Sequence, residues 1–405
     1  MIALDDAVAE VLEACRRLPA KSLSVGEVLG HVLAEDVRAA DPVPPFANSA
    51  MDGYAVHAAD IASATPERPA RLKVIGTLAA GHVPDTAVGG GEALRIMTGA
   101  LFPQGADTVA IVENTRADGD HVLVFASSAP GDHVRGAGED IAAGAEVFSP
   151  GTVLGPGHVG VLCSVGREKT QVIPLPTVGV LSTGDELVEA GGTLQPGQIR
   201  DSNRRTLTSL LSRDGFRAVD LGIAPDDEAE IQRRLISAAS TCDAILTSGG
   251  VSMGDFDYVK AVLDRIASMR WMQIAIRPAK PFAFGLLGDV PVFGLPGNPV
   301  SSMVSYELLA RPGLRKLAGF ADGSLRREVV PGVADDAWTG ATDGRTSFVR
   351  VVASFGDEGR LHAKGAGGQG SHQLHAMSLS NALAVIEPET AVRPGDPVRL
   401  MLLGA

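Results

Sequence analysis

Positive charge, cysteine and long apolar runs are all scarce in this chain. Its 35 lysines and arginines face 48 aspartates and glutamates, a net charge of −13. Non-specific nucleic-acid binding relies on the opposite balance, so nucleic acid is not an expected partner. The three cysteines, Cys15, Cys163 and Cys242, lie far apart. An odd, scattered set suits reduced thiols in a cytoplasm and not a disulfide framework. No apolar run approaches the ~18 residues of a membrane span. Asp5, Asp6, Glu10 and Glu13 occupy the start of the chain, where a signal peptide would carry basic residues and an apolar core. The expected setting is cytoplasmic. There is no Walker A loop and no nucleophile elbow, which removes two common routes to phosphoryl and acyl chemistry.

What is present can bury large cores. The chain has 405 residues, of which 45% are hydrophobic and 20% charged. That length predicts about two to four domains. Val8, Val11, Leu12, Cys15 and Leu18 share one helical face, so residues 4–18 read as an amphipathic helix. Residues 25–34 read as a second, shorter one. Asp41-Pro-Val-Pro-Pro45 cannot continue a helix and marks a boundary. From residue 51 to about 134, short apolar runs separated by glycine-rich turns predict a small β-domain. After Thr177 strands and helices alternate: strands at 178–181, 217–221, 244–247 and 272–276, helices at 203–213, 226–239 and 258–266. A hairpin follows at Gly288-Asp289, and a last helix begins near Ser301. This βαβα order predicts a parallel sheet covered on both faces. From about residue 325 the pattern is β-like again.

The chemistry-bearing residues gather at predicted strand ends. Val178 to Leu181 runs into Thr183-Gly-Asp-Glu186, and Ala244 to Thr247 runs into Ser248-Gly-Gly-Val-Ser252, followed by Asp255 and Asp257. In open α/β sheets, ligands collect at the carboxyl ends of strands. Gly249 and Gly250 let a ligand approach the backbone closely. Glu186 and Asp257 are the hard oxygen donors that magnesium takes. Arg200, Arg204 and Arg205 surround the start of the 203–213 helix, an arrangement that suits a phosphate or carboxylate as well as a plain solvated helix start. Arg277-Pro-Ala-Lys-Pro281 fixes two cations between prolines, and Leu295-Pro-Gly-Asn-Pro-Val-Ser301 is a rigid loop before a helix. Asp52-Gly53 reads most simply as a turn, Thr98 as a ligand donor or a turn cap, and Glu139-Asp140 as a solvated loop. Gly365-Ala-Gly-Gly-Gln-Gly370 matches a dinucleotide fingerprint, but only 35 residues follow it, so it reads as a glycine-rich turn. His372 and His375 lack partners at zinc spacing and read as structural.

Taken together, Asn48–Tyr54, Arg95–Ala100, Gly138–Ile141, Thr183–Leu187, Gln198–Arg204, Ser248–Asp257, Pro278–Gly285 and Leu295–Ser301 resemble the molybdopterin molybdenumtransferase family, which includes the E domain of gephyrin. The resemblance covers nearly the whole chain. It implies an enzyme of molybdenum cofactor biosynthesis that inserts molybdenum from molybdate into adenylylated molybdopterin and releases AMP with a divalent cation, Mg2+. It implies an α/β plus β multidomain fold: an N-terminal helix at 1–20 packing on the α/β domain, a linker region at 21–47 and 138–176, an inserted β-domain at 48–137, a parallel-sheet molybdopterin-binding domain at 177–324 and a C-terminal β-barrel at 325–405. It further implies a homodimer in which the inserted β-domain faces the α/β domain of the partner subunit. Other cofactor-biosynthesis proteins or molybdoenzyme chaperones are further candidate partners. Residue by residue, the family's catalytic positions fall on Asp52, Thr98, Asp140, Glu186, Asp226 and Asp257. Glu186 and Asp257 hold the metal. Arg200, Ser248, Gly249, Gly250, Arg277, Lys280, Pro296 and Pro299 bind substrate. One segment departs from the pattern: the family's usual Lys-Pro-Gly-Lys-Pro is Arg277-Pro-Ala-Lys-Pro here, and Gln273 replaces a frequent lysine. Two rival readings are a molybdopterin adenylyltransferase, whose fold covers only the α/β region, and a non-catalytic scaffold.

Overall fold

Apolar residues buried on both faces of the central strands define the sheet that carries the predicted motifs. In the computed structural model, which describes residues 1–250 and 258–404, six strands follow the order Arg217–Ala224, Thr177–Thr183, Ala244–Ser248, Val290–Leu295, Pro281–Leu287 and Ser268–Gln273. The first four run parallel. The last two are antiparallel. The sheet is therefore mixed, not wholly parallel. The cause is local: Leu287 pairs with Val290, leaving Gly288-Asp289 as a two-residue turn with Gly288 at φ 64°. Such a turn can only reverse the chain.

Alternation sorts the side chains between two cores. Val178, Val180, Ala244 and Leu246 pack on one face with Leu207, Leu211 and Val304. Leu181 and Ile245 pack on the other with Ile231, Leu235 and Val259. A fully buried leucine such as Leu207 or Leu235 contributes about 1.5–3 kcal/mol. The helices Asn203–Arg213 and Tyr258–Ile266 occupy their expected spans. The helix between them is Glu228–Ala239, and its cap is Asp227, whose carboxylate accepts from the Glu230 N–H at 2.8 Å. Asp226, the first residue of the expected span, is left outside the helix. The helix Leu4–Ala14 buries Ala7, Val8 and Val11 in the first core. It approaches so closely that a side chain on Gly313 would meet Val11 at 2.8 Å. The helix Pro299–Ser305 continues through a π-helical turn, Tyr306–Ala310, into Arg311–Leu317.

Five strands near the C-terminus, Thr346–Phe355, Leu361–Gly365, Val329–Ala334, Pro397–Leu402 and Ala382–Ile386, close into a barrel because the last pairs back with the first. Closure leaves no free edges between these strands. Val349, Val351, Ala363, Ala384 and Leu400 fill it. The short strand Ile276–Arg277 joins its rim, pairing in parallel with Thr346 and Ser347.

The α/β sheet and the barrel belong to one compact unit, residues 1–21, 30–33 and 172–405. A second unit comprises residues 22–29 and 34–171. Its largest sheet has six strands in the order Thr108–Ile111, Gly53–Val56, Glu92–Ile96, Ala70–Leu78, His121–Val124 and Thr115–Asp118. The expected helix at 25–34 does not form. Only a 3₁₀ turn, Val25–Glu27, appears, and Val32–Leu33 is a strand. Gly30, at φ 80°, breaks the helical path between them. Among the described residues, no helix is long and apolar enough to cross a membrane.

Candidate active site

The carboxyl ends of the parallel strands hold the glycines and acids close together. Thr183 and Ser248, each the last residue of its strand, are buried. Gly249, at φ 94°, donates its N–H to Leu295 O at 3.0 Å. A Cβ there would touch Thr183 O at 3.4 Å, so the glycine serves both turn and close approach. Asn203, the first residue of its helix, bolts two loops together. Its side-chain amide donates to Ser248 Oγ at 2.8 Å and to Gly297 O at 2.7 Å. That ties the Ser248-Gly-Gly loop to Pro296-Gly297-Asn298-Pro299.

Glu186 follows the Thr177–Thr183 strand and is exposed, with Asp185 beside it. Gly184, at φ 140°, takes a backbone conformation that a residue with a Cβ rarely adopts. The Asp226 N–H donates to Asp185 Oδ1 at 3.1 Å, so Asp185, Glu186 and Asp226 share one rim of the sheet. Asp255, Asp257 and Ser252 lie outside the described residues. Among the described residues, no three acids, histidines or cysteines are grouped to hold a metal ion.

The expected anion-binding start of the Asn203–Arg213 helix is not free for an anion. Arg204 is buried and donates to three carboxylates: Nε to Asp201 at 2.9 Å, Nη1 to Asp220 and Nη2 to Glu189. Arg205 pairs with Asp220 at 3.0 Å and Glu189 at 3.3 Å. Burial works against the Arg204 charge, but Asp220 and Asp201 more than offset it and raise its pKa. Arg200 is exposed and donates to Gly192 O at 3.2 Å.

A different cation is left without an acid, and no spacing in the sequence points to it directly. Arg350, on the Thr346–Phe355 strand, is fully buried. Its Nη2 donates to Gly368 O at 2.7 Å and Gly370 O at 3.2 Å, while Nε and Nη1 have no partner. No acid compensates it, and burial pushes its pKa down. The hydroxyls of Ser302, Ser305 and Ser347 are also buried and unpartnered. The glycine-rich turn that mimics a dinucleotide fingerprint is the holder of Arg350. Gln369 bonds both the N–H and the C=O of that residue. The same turn reaches the Pro296–Pro299 loop, because Ser371 O accepts from the Val300 N–H at 3.1 Å. Arg277 sits opposite Ser347 on the rim of the barrel and is exposed; Lys280 is half-buried. The available signal was a lone arginine inside Phe348-Val-Arg-Val-Val352 with no acid at hand.

In the second unit, Asp52 and Thr98 meet. Asp52 Oδ1 accepts from the Thr98 N–H at 2.7 Å and from its hydroxyl at 2.8 Å. These bonds hold the Asp52 carboxyl below its ordinary range. Asp52-Gly53 is more than a turn. Gly53 opens a strand paired on both sides, and a Cβ there would lie 2.2 Å from Ala110 O. Asp140 is exposed on a loop whose N–H groups at 140 and 141 bond Val43 O. A cleft of about 500 Å³ between the N-terminal helix and the barrel, lined by Leu4, Val8, Phe348 and Met401, contains none of the predicted site residues.

An α/β sheet with close-approach glycines at its strand ends, followed by a closed barrel, defines a multidomain protein with room for a small ligand at the sheet edge. Three family descriptions match in order: the MoeA N-terminal region at residues 2–166, a probable molybdopterin-binding domain at 179–316 and the MoeA C-terminal region at 331–403. A molybdopterin molybdenumtransferase from Haemophilus influenzae is 37% identical, covering 99% of this chain and 98% of its own. Gephyrin from Dictyostelium discoideum is 29% identical over 100% of this chain and 62% of its own. A solved molybdopterin biosynthesis MoeA protein from Pyrococcus horikosii superposes with a TM-score of 0.79 at 30% identity, covering 100% of both chains. The chain belongs to the molybdopterin molybdenumtransferase family, transferases of molybdenum cofactor biosynthesis.

Proposed function

We propose that this chain takes adenylylated molybdopterin and molybdate, inserts molybdenum into the pterin dithiolene and releases AMP. The observation that carries the reading is the buried, acid-free Arg350, held by the glycine turn that also contacts the Pro296–Pro299 loop. An acidic protein binds an oxyanion only where a local cation is kept free of carboxylates. Arg204 and Arg205 are consumed by acids, whereas Arg350 is not. Its unpartnered nitrogens, on the strand with which Ile276–Arg277 pairs, would offer molybdate charge-assisted donors in a low-dielectric setting. The Gly249-Gly250 backbone and Ser248 suit the pterin, beside Pro296 and Pro299.

The rim acids suit a divalent ion. Magnesium needs only one or two carboxylates besides substrate phosphate oxygens and water. Glu186, exposed just past the end of the Thr177–Thr183 strand, supports such a role, and Asp257 is proposed as its partner. Bound there, Mg2+ would neutralise charge on the phosphoanhydride of the substrate. Asp226 and Asp185 stay hydrogen-bonded to each other's segment and shape that rim. We further propose a cytoplasmic homodimer in which Asp52, Thr98 and Asp140 of one protomer serve the site of the other.

The test is AMP release and molybdenum transfer from purified protein given adenylylated molybdopterin and molybdate. Molybdate-dependent AMP release supports the reading. No release, or turnover only with unadenylylated molybdopterin and ATP, overturns it in favour of a scaffold or an adenylyltransferase. For the shared site, a heterodimer of Asp52→Ala and Glu186→Ala chains should regain about half the activity of the wild-type dimer, that of its one intact site, and no recovery rejects it.

A further inference from the structure

We propose that Arg204 is a positioning residue for Glu186, acting through the small ladder that carries it. The inference rests on the role given to Glu186 above. The residues from Gly184 to Asp201 leave the sheet and return, pairing Leu187–Val188 in parallel with Ile199–Arg200. The Ile199 N–H donates to Glu186 O at 2.8 Å, and the Asp201 N–H to Val188 O at 2.9 Å. Two strands of two residues are too short to hold themselves in place. Arg204 supplies what they lack. One guanidinium, 1% exposed, grips Glu189 at the end of the first arm, Asp201 at the end of the second, and Asp220 on the neighbouring sheet strand. Asp220 in turn accepts from the Gly222 N–H at 2.9 Å, so it is fixed to the strand itself. Glu186 lies three residues before Glu189. The planar fork thus ties both arms of the ladder to the sheet, and Glu186 is held between that tie and the Thr177–Thr183 strand. Lysine, a point charge, cannot bond three carboxylates arranged around a plane.

Two variants separate positioning from bulk stability. Glu189 is 53% exposed, so Glu189→Gln removes the ionic tie of the first arm without opening a core. Arg204→Lys retains the charge and loses the fork. Both should speed amide hydrogen exchange at residues 186–200 in the unliganded protein. Both should also raise the Mg2+ concentration needed for half-maximal AMP release, by about tenfold in Arg204→Lys, the scale seen when the outer support of a ligand is lost. Excess Mg2+ should restore the rate. A fall in melting temperature with unchanged exchange at 186–200 and unchanged Mg2+ requirement overturns the proposal. Glu186→Gln is the control: if it leaves the Mg2+ requirement unchanged, the metal reading of Glu186 fails. If it shifts that requirement while Glu189→Gln and Arg204→Lys do not, the positioning role fails.

Discussion

Two arginines in the same unit are equally hidden from water and live in opposite surroundings. Arg204 is 1% exposed and Arg350 0%. Arg204 has three carboxylates and every nitrogen engaged. Arg350 has two carbonyl oxygens on a single nitrogen and two nitrogens unengaged. A buried guanidinium without an anion is costly to retain. Burial accordingly lowers the Arg350 pKa, while the acids around Arg204 outweigh burial and raise its own. The comparison separates a cation neutralised within the fold from one whose charge the fold leaves uncompensated. The buried Asp214 and Glu307, ringed by Arg213, Arg311 and Arg327, repeat the first pattern. Nothing else among the described residues repeats the second at full burial.

Arg350→Met breaks the comparison most sharply. If Arg350 serves molybdate, molybdate-dependent AMP release should fall at least about 100-fold, equivalent to about 2.7 kcal/mol. Stability should change little or rise, because an uncompensated buried charge is replaced by an apolar side chain of similar length. Steady-state kinetics and urea unfolding read the two effects on one sample. Large destabilisation with normal turnover would make Arg350 a second structural arginine.

Asp220→Asn sharpens the other side. Burial alone would raise the Asp220 carboxyl, but the Gly222 N–H and the Arg204 and Arg205 guanidiniums outweigh it and lower its pKa. A lowered folded-state pKa means a contribution present above the ordinary aspartate range near 4 and lost as pH falls through the folded value. Asp220 is partly in water, so the contribution is about 1 kcal/mol. The variant should be less stable than wild type by that amount at pH 7, and the two should converge as pH falls below the ordinary aspartate range. Parallel curves across that range would show that Arg204 does not depend on this partner.

The sequence made the strand ends, the glycine loops and the helices of the α/β region legible because each rests on local rules. Periodicity located Asn203–Arg213 and Tyr258–Ile266, and strand-end glycines located Gly184 and Gly249. Pairing was less legible. The antiparallel edge depends on the two-residue turn Gly288-Asp289, which reverses the chain in a sheet that the βαβα order alone makes parallel. Long-range charge pairing was opaque. Arg204 finds Glu189, Asp201 and Asp220 within 16 residues, yet nothing in the spacing states that they converge. Arg350 needed the barrel to close before its isolation from acids could be seen. The link between Asp52 and Thr98 spans 46 residues and rests on pairing of two neighbouring strands, Gly53–Val56 and Glu92–Ile96.

The smallest expected effect tests the segment that joins the sheet to the barrel rim beside Arg350. Ala279 in Arg277-Pro-Ala-Lys280 adopts φ 77°, the left-handed region. The family to which the segment is similar usually has glycine there, and the conformation explains why. For a residue with a Cβ, that region costs about 1–2 kcal/mol. Ala279→Gly removes this strain but adds freedom to the unfolded chain, worth about 0.4–1 kcal/mol in the opposite direction. Ala279 is also buried in the main core, so loss of its methyl group takes away a little packing. The strain term is the largest of the three, and the net expectation is stabilisation of about 0.5 kcal/mol, read as a higher urea midpoint at unchanged slope. The flanking Arg277 and Lys280 keep their backbone positions in this exchange, so affinity for molybdate should stay within about twofold. A lower midpoint would mean that the methyl packing outweighs the strain. A large change in molybdate affinity at constant stability would mean that Ala279 itself shapes the anion site, and the contrast between Arg204 and Arg350 would then have to include the loop beside the latter.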